Sequence, residues 1–282
     1  MSVTLESPPT AAALERELGS TYARLAGICE VLSAEVAEPG VSVTRVGLNA
    51  TELTVSQEAV DVFVEAEAAR IQERYGHTAR PHVAASRALH DYAWSVGLLM
   101  SGVWYLERRV PRIRPEDVSL DLITGVYKIT PGTRLSCLPG DPAVGLPGVT
   151  VVPNEEALRA ELRSAVADHM SPLLTALGPI ARRGSRALWG MVSDDLVSGI
   201  WYLGRVLGRE DDAVRAATEL LPSAVSPYPR GAEFRHLTDT SGRSHPTRTR
   251  AGCCLYYTIR PDEACFTCPR TCDTERLRRL EN

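Results

Sequence analysis

The sequence predicts a mainly α-helical protein with a small β insertion and a cysteine-rich C-terminal segment. Apolar residues recur at helical spacing over most of the chain. Residues 117–152 differ, because short β-branched runs alternate there with Gly and Pro, as in strands joined by turns. Five of the seven cysteines follow residue 250. At 282 residues and 44% hydrophobic, the chain is long enough to bury a sizeable core.

Three helices are predicted in the N-terminal part. The first runs from 11 to about 38, on the spacing of Leu14, Leu18, Tyr22, Leu25, Ile28, Val31 and Leu32. The second begins near Ser56, a residue type that caps helices, and ends at about residue 75 before Gly76. The third covers residues 82–109 and is bounded by prolines.

Two to four short strands are predicted in residues 117–152, and helical periodicity then resumes. It predicts three further helices up to residue 222, a loop to about residue 250, and a short helix over residues 274–281. We therefore divide the chain into an N-terminal helical region (1–116), a β insertion (117–153), a second helical region (154–222) and a C-terminal segment (223–282).

A short internal repeat connects the two helical regions. "SRAL" occurs at 86–89 and 185–188, and "SGVWYL" at 101–106 is matched by "SGIWYL" at 198–203. The spacing is too long for a solenoid and favours a duplicated helical hairpin packed against its own copy. The paired aromatic residues are expected to be core anchors, or alternatively to line a ligand cleft between the copies: Trp104, Tyr105, Trp201 and Tyr202.

The sequence lacks the signatures of several functional classes. The net charge of −4 leaves no broad basic surface for nucleic acid. The sequence contains no Walker lysine, no G-x-G-x-x-G turn, no H-E-x-x-H and no G-x-S-x-G. If the protein is an oxidoreductase, its electrons must therefore come from another protein.

Targeting signals are also missing. The N-terminus lacks a basic start followed by an apolar stretch, so no secretory signal is predicted. The longest uncharged run, residues 92–106, is shorter than the roughly 20 residues that span a bilayer. We expect a cytoplasmic protein without a transmembrane segment. In a reducing compartment, clustered cysteines more often bind metal than form disulfides.

The cysteine segment, residues 248–272, contains Cys253, Cys254, Cys265 and Cys268 in the pattern C-C-x10-C-x2-C. Adjacent Cα atoms lie about 3.8 Å apart, which is too close for an unstrained disulfide. A structural zinc site usually pairs two C-x-x-C turns around one ion, and adjacent cysteines serve this geometry poorly. A two-iron, two-sulfide cluster spreads four thiolates over two irons. The spacing favours iron–sulfur, with zinc and redox-active thiols as alternatives.

This pattern resembles the C-terminus of the FhuF-type ferric siderophore reductases. The basic approach "RTRAGCC" and the block at 171–203 are similar to the same family. The resemblance implies a [2Fe-2S] cluster on the four cysteines. It also implies a cytoplasmic enzyme that transfers one electron to Fe(III) in hydroxamate siderophores and releases Fe(II). The electron donor would be external, such as a ferredoxin or an NAD(P)H-dependent reductase.

Other residues receive weaker expectations. Cys272 is either a spare thiol or a substitute for Cys268, and it stays outside the predicted ligand set. Arginines in the loop before the cysteines are either ordinary solvated surface, or they dock an acidic donor or raise the cluster potential, and Arg235, Arg248 and Arg250 are the candidates. Trp189 and Trp201 are candidates for siderophore contact. The rival functions are a zinc-stabilised binding or adaptor protein, and a siderophore-binding protein whose cluster is structural.

Overall fold

The computed structural model describes residues 11–37 and 47–281, and within them the chain is mainly helical, as predicted. Its helices are α1 (Ala11–Ile28), α2 (Glu52–Val55), α3 (Gln57–Tyr75), α4 (Pro81–Glu107), α5 (Glu155–Ala181), α6 (Ser185–Val206), α7 (Glu210–Leu220) and α8 (Asp273–Glu281). No helix in these ranges is long and apolar enough to cross a membrane.

Nine short strands form two small sheets and a hairpin in the described ranges. They are β1 (Ala34–Val36), β2 (Leu48–Asn49), β3 (Arg109–Pro111), β4 (Val118–Leu120), β5 (Tyr127–Ile129), β6 (Leu135–Cys137), β7 (Val149–Val151), β8 (Arg235–Thr238) and β9 (Ser244–Thr247). The first sheet has the order β1-β5-β4-β2, the second β3-β6-β7, and β8 pairs with β9. The predicted insertion therefore contains four strands, three of which pair with strands that precede it.

The core is built around α4 and α6, the two helices that carry the repeated segments. These helices pack against each other, and α3 and α5 both pack against α4. The surfaces of α4 and α6 are in contact, since a Cβ atom at Gly199 would lie at van der Waals distance, 3.5 Å, from Leu98 Cδ1. Trp104 is fully buried, and Tyr105 and Trp201 are buried. The repeated aromatic residues thus lie mainly in the core, as expected.

Local signals explain where α3 begins and ends. Ser56 Oγ accepts a hydrogen bond from Ala59 N at 3.2 Å, which satisfies one of the free amides of the first turn. Gly76 ends the helix with φ 62°, a left-handed conformation that glycine adopts without steric cost. Both termini were predicted from the sequence. Asn154 caps α5 in the same way, through Ala157 N at 2.9 Å.

Two predicted elements differ from the structure. The first helix was expected to extend to about residue 38, but α1 ends at Ile28, and residue 38 lies outside the described residues. Residues 34–36 instead pair in parallel with residues 127–129. The hydrogen bonds of this sheet replace those that a longer helix would make. The region expected to be a loop contains the β8–β9 hairpin, whose turn Asp239 stabilises by accepting from Ser241 N and Arg243 N.

Candidate metal-binding site

The cysteine segment lies directly on the backbone of α6. The Cβ of Ala251 lies 3.6 Å from the position that a Cβ would take at Gly190. At Gly252, a Cβ atom would lie 2.9 Å from Met191 N and 3.1 Å from Met191 Cα. Only glycine fits this contact, because the opposing atoms belong to helix backbone and cannot move aside. The glycine before the cysteine pair therefore permits the segment to reach the helix.

Asp194 anchors the segment to α6. Its carboxylate is fully buried and accepts from Arg248 Nη2 at 2.6 Å, from Ala251 N at 3.1 Å and from Gly252 N at 2.7 Å. Charge-assisted hydrogen bonds of this kind are stronger than neutral ones. A single side chain thus neutralises a buried arginine and fixes the backbone immediately before the first two cysteines.

A second buried carboxylate, Asp195, connects the segment to α4. Its Oδ1 accepts from Arg250 Nη2 at 2.5 Å and lies 2.6 Å from His90 Nδ1. Arg250 is 5% exposed, and its backbone N–H donates to Thr267 O at 3.0 Å. Arg250 therefore links both helices of the core to the loop that carries the second pair of cysteines.

Arg276 of α8 holds the segment from the other side. Its guanidinium is buried and donates to Arg248 O at 3.0 Å, to Thr249 Oγ1 at 3.1 Å and to Cys268 O at 2.9 Å. The short C-terminal helix is thereby fastened to the backbone on both sides of the cysteines. Sequence reasoning missed this contact, because an arginine in a short charged helix is expected to face solvent.

The four predicted ligands lie together in two turns. Cys254 and Cys268 are buried, at 3% and 2% exposure, whereas Cys253 and Cys265 are half-buried. Cys265 O accepts a hydrogen bond from Cys268 N at 2.9 Å, which closes the C-x-x-C turn. The thiols of Cys254 and Cys265 are in hydrogen-bonding contact, and Cys253 is within electrostatic reach of Cys254 and Cys268.

The electrostatics of the site favour a thiolate at Cys254. A hydrogen bond from the Cys265 thiol lowers the pKa of Cys254 to about 3, and the charges of His90, Arg87 and Arg250 act in the same direction, against the effect of burial. The same hydrogen bond raises the pKa of Cys265, the proton donor. Burial raises the pKa of Cys253. The thiolate is the form of cysteine that binds metal, so Cys254 is favoured as a ligand.

The donor set suits an anionic iron–sulfur core. Four thiolates on two irons carry a net negative charge, and the buried arginines beside Cys254 compensate for it. Over residues 11–37 and 47–281, no three Cys, His, Asp or Glu side chains are grouped as they would be around one metal ion. The contact between Cys254 and Cys265 joins one cysteine of each pair, so the two pairs lie side by side.

Other candidate residues are distributed differently. Arg248 and Arg250 are buried in ion pairs with Asp194 and Asp195, so their guanidinium groups are not on the surface. Arg235 is 39% exposed at its side chain and pairs with Asp273. Cys272 is exposed.

The two tryptophans lie on separate parts of the core. Trp189 packs edge-on against Tyr228 and lines a cavity of about 410 Å³ between α5 and α6. Trp201 packs against Phe234 and donates to Glu210 at 2.8 Å. Both side chains are largely buried.

Fold and site define a helical protein with a C-terminal thiolate centre for a metal cluster. The sequence model of the FhuF 2Fe-2S C-terminal domain matches residues 250–270, a span that contains all four predicted ligands. This match confirms the predicted resemblance and points to a [2Fe-2S] cluster as the cofactor. It covers the cysteine segment and not the helical body, and no curated protein matches the chain.

The contact of Gly252 with α6 leads to a prediction. Gly252→Ala is expected to destabilise the protein by about 1–3 kcal/mol and to speed the loss of iron to a chelator, because the added methyl group overlaps the Met191 backbone. Thermal unfolding and iron release measure the two effects. Gly19→Ala, within α1, is the control, since a Cβ there meets no atom within 4 Å and a helix interior favours alanine over glycine. Equal behaviour of the two variants would contradict the role assigned to Gly252.

Proposed function

We propose that this protein is a ferric siderophore reductase that transfers one electron at a time to Fe(III) in hydroxamate siderophores. The observation that carries the proposal is the cysteine segment, whose residues 250–270 match the FhuF 2Fe-2S C-terminal domain. The proposed cluster ligands are Cys253, Cys254, Cys265 and Cys268. The segment is held against the helical core by Asp194, Asp195 and Arg276.

The chemistry fits a one-electron carrier. Hydroxamates present hard oxygen donors, which hold Fe(III) far more tightly than the softer Fe(II). When bound, the cluster supplies a site that stores one electron. The ferric ion gains that electron and the reduced protein loses it, after which Fe(II) can pass to other ligands. The protein's part is to hold the thiolates in place and to offset their charge with Arg87 and Arg250.

The exposure of the cysteines supports electron transfer at the protein surface. Cys253 and Cys265 are half-buried, whereas Cys254 and Cys268 lie deeper. An external donor reduces the protein in this scheme, because the sequence carries no nicotinamide or flavin signature. Arg235 is the one exposed member of the arginines predicted to dock the donor. Arg248 and Arg250 act instead by positioning the segment, since both are buried.

Anaerobic purification followed by a chelator assay tests this function. The protein is expected to be red-brown, to bleach with dithionite, and to reduce a ferric tris-hydroxamate with Fe(II) trapped by a coloured chelator. One Fe(II) should appear for each reduced cluster that is reoxidised. A colourless protein with one equivalent of zinc would support the zinc-stabilised alternative. A reduced cluster that stays reduced beside the siderophore would indicate a structural cluster.

A further inference from the structure

Two cavities meet beside the cysteine segment, between α3, α4 and the first sheet. One has a volume of about 450 Å³ and contains Tyr75 and Arg87, and the other has a volume of about 350 Å³ and contains His90. Both are lined by Arg70, Arg74 and Asp91, so the two cavities adjoin, and we refer to them together as the groove. Cavities of about 300–1,000 Å³ accommodate small-molecule ligands. The groove is therefore large enough for a compact metal chelate.

A single side chain separates this groove from a proposed cluster ligand. Arg87 lines the groove, and its guanidinium also interacts with the sulfur of Cys254. The guanidinium carbon lies 5.4 Å from the ring centroid of Tyr256, which packs edge-on against Tyr75 of the groove wall at 5.9 Å. A molecule that contacts Arg87 in the groove would thus be separated from Cys254 by this one side chain.

The charged groups of the groove include three arginines and three carboxylates. Arg70 pairs with Glu67 and Arg87 with Asp91. Arg74 lies over the ring of Tyr75 at 5.3 Å, with no ion pair to any described residue, and Glu73 is exposed. Arg74 is therefore the cation most available to an incoming ligand.

This arrangement suits a ligand whose oxygen atoms accept hydrogen bonds and whose charge becomes more negative on reduction. A ferric tris-hydroxamate is neutral at its metal core, because three anionic groups balance Fe(III). One added electron leaves a net negative charge on the complex. Arg74, which has no ion pair to any described residue, would stabilise the reduced complex more than the ferric one, which favours electron transfer.

We infer that the groove between α3 and α4 is the binding site for the ferric hydroxamate, with Arg74 as a ligand-binding residue and Arg87 between the ligand and Cys254. This inference rests on the proposed function for its choice of ligand. The main rival site is the cavity between α5 and α6, which contains Trp189 and Arg183. Arg183 acts on Cys253 through its charge, whereas Arg87 interacts with Cys254 directly.

Binding and reduction are measured separately. The gallium(III) complex of a linear tris-hydroxamate has the charge and shape of the ferric complex but does not accept the electron. Isothermal titration of this complex into the cluster-loaded protein gives a dissociation constant that is independent of the cluster potential. Arg74→Glu is expected to raise that constant at least tenfold, because it removes a donor and places a negative charge in the groove.

Two charge reversals serve as matched controls. Arg183→Glu makes the same change in the rival cavity, and Arg215→Glu makes it on α7, which packs on α5 and α6. Both are expected to bind the gallium complex within twofold of the unaltered protein. The inference is overturned if Arg74→Glu binds as the unaltered protein does, if Arg183→Glu shows the larger loss, or if the unaltered protein binds no gallium complex.

Reoxidation kinetics distinguish this inference from the proposed function. After chemical reduction, the cluster of Arg74→Glu should be reoxidised by the ferric complex with a raised half-saturating concentration. If the unaltered protein reduces ferric hydroxamate while all three variants bind the gallium complex equally, the proposed function is supported but the groove is not the binding site. If the unaltered protein binds the gallium complex through Arg74 but never reduces iron, the groove is the binding site and the proposed reductase function is wrong.

Discussion

Replacement of Cys254 by serine is expected to abolish cluster binding, with at least a tenfold loss of iron and of visible absorbance in the purified protein. Cys254 is buried and interacts with Cys265, Arg87 and Arg250, so its thiolate is the most strongly positioned of the four. A serine hydroxyl stays protonated at neutral pH and offers iron no soft donor. The buried arginines would then lose the charge that they compensate.

Cys272→Ser supplies the matched comparison, because Cys272 lies within the same segment but is exposed. Its iron content, visible spectrum and thermal stability should equal those of the unaltered protein. Equal loss of iron in the two variants would show that Cys272 belongs to the ligand set. Iron content is measured after anaerobic purification, so that oxidative loss does not obscure the difference.

The second large effect is expected for Asp194→Asn. The buried carboxylate accepts three hydrogen bonds, and an amide would turn an N–H₂ group towards one or more of those donors while leaving Arg248 without its counter-charge. Removing one partner of a buried ion pair costs about 3–5 kcal/mol. In a chain of this length we expect the thermal midpoint to fall by about 10 °C, together with faster release of iron.

Asp212→Asn is the control for this variant, since Asp212 pairs with Arg209 and Arg215 on the exposed face of α7. Exposed ion pairs contribute about 0–1 kcal/mol, so its midpoint should change little. Thermal unfolding and iron release are recorded for both variants of the cluster-loaded protein. If Asp194→Asn unfolds and releases iron as the control does, the carboxylate does not anchor the cysteine segment.

Local signals allowed much of the fold to be predicted from the sequence. Helical periodicity located α3 and α4, and the caps at Ser56 and Gly76 marked helix ends that the structure reproduces. These features depend on neighbouring residues alone. The cysteine segment was likewise recognisable, because metal-binding turns require a fixed spacing of thiols.

What sequence reasoning missed depends on contacts between distant residues. Asp194 and Asp195 read as an ordinary charged pair within a helix, yet both are fully buried against arginines more than fifty positions away. Their signal was present, because apolar residues surround the pair in "MVSDDLVSGI". Buried carboxylates require buried cations, so Arg248 and Arg250 could have been assigned to the interior rather than to a docking surface.

The internal repeat has a consequence for how the protein holds one cluster. The first copy supplies Arg87 and His90 near Cys254, whereas the second supplies the carboxylates Asp194 and Asp195. The corresponding stretch of the first copy, residues 95–98, contains no acid. If the two copies were identical, each would present the same surface to the one cysteine segment. The two copies differ here, so that the segment contacts Arg87 and His90 of one and the two buried carboxylates of the other.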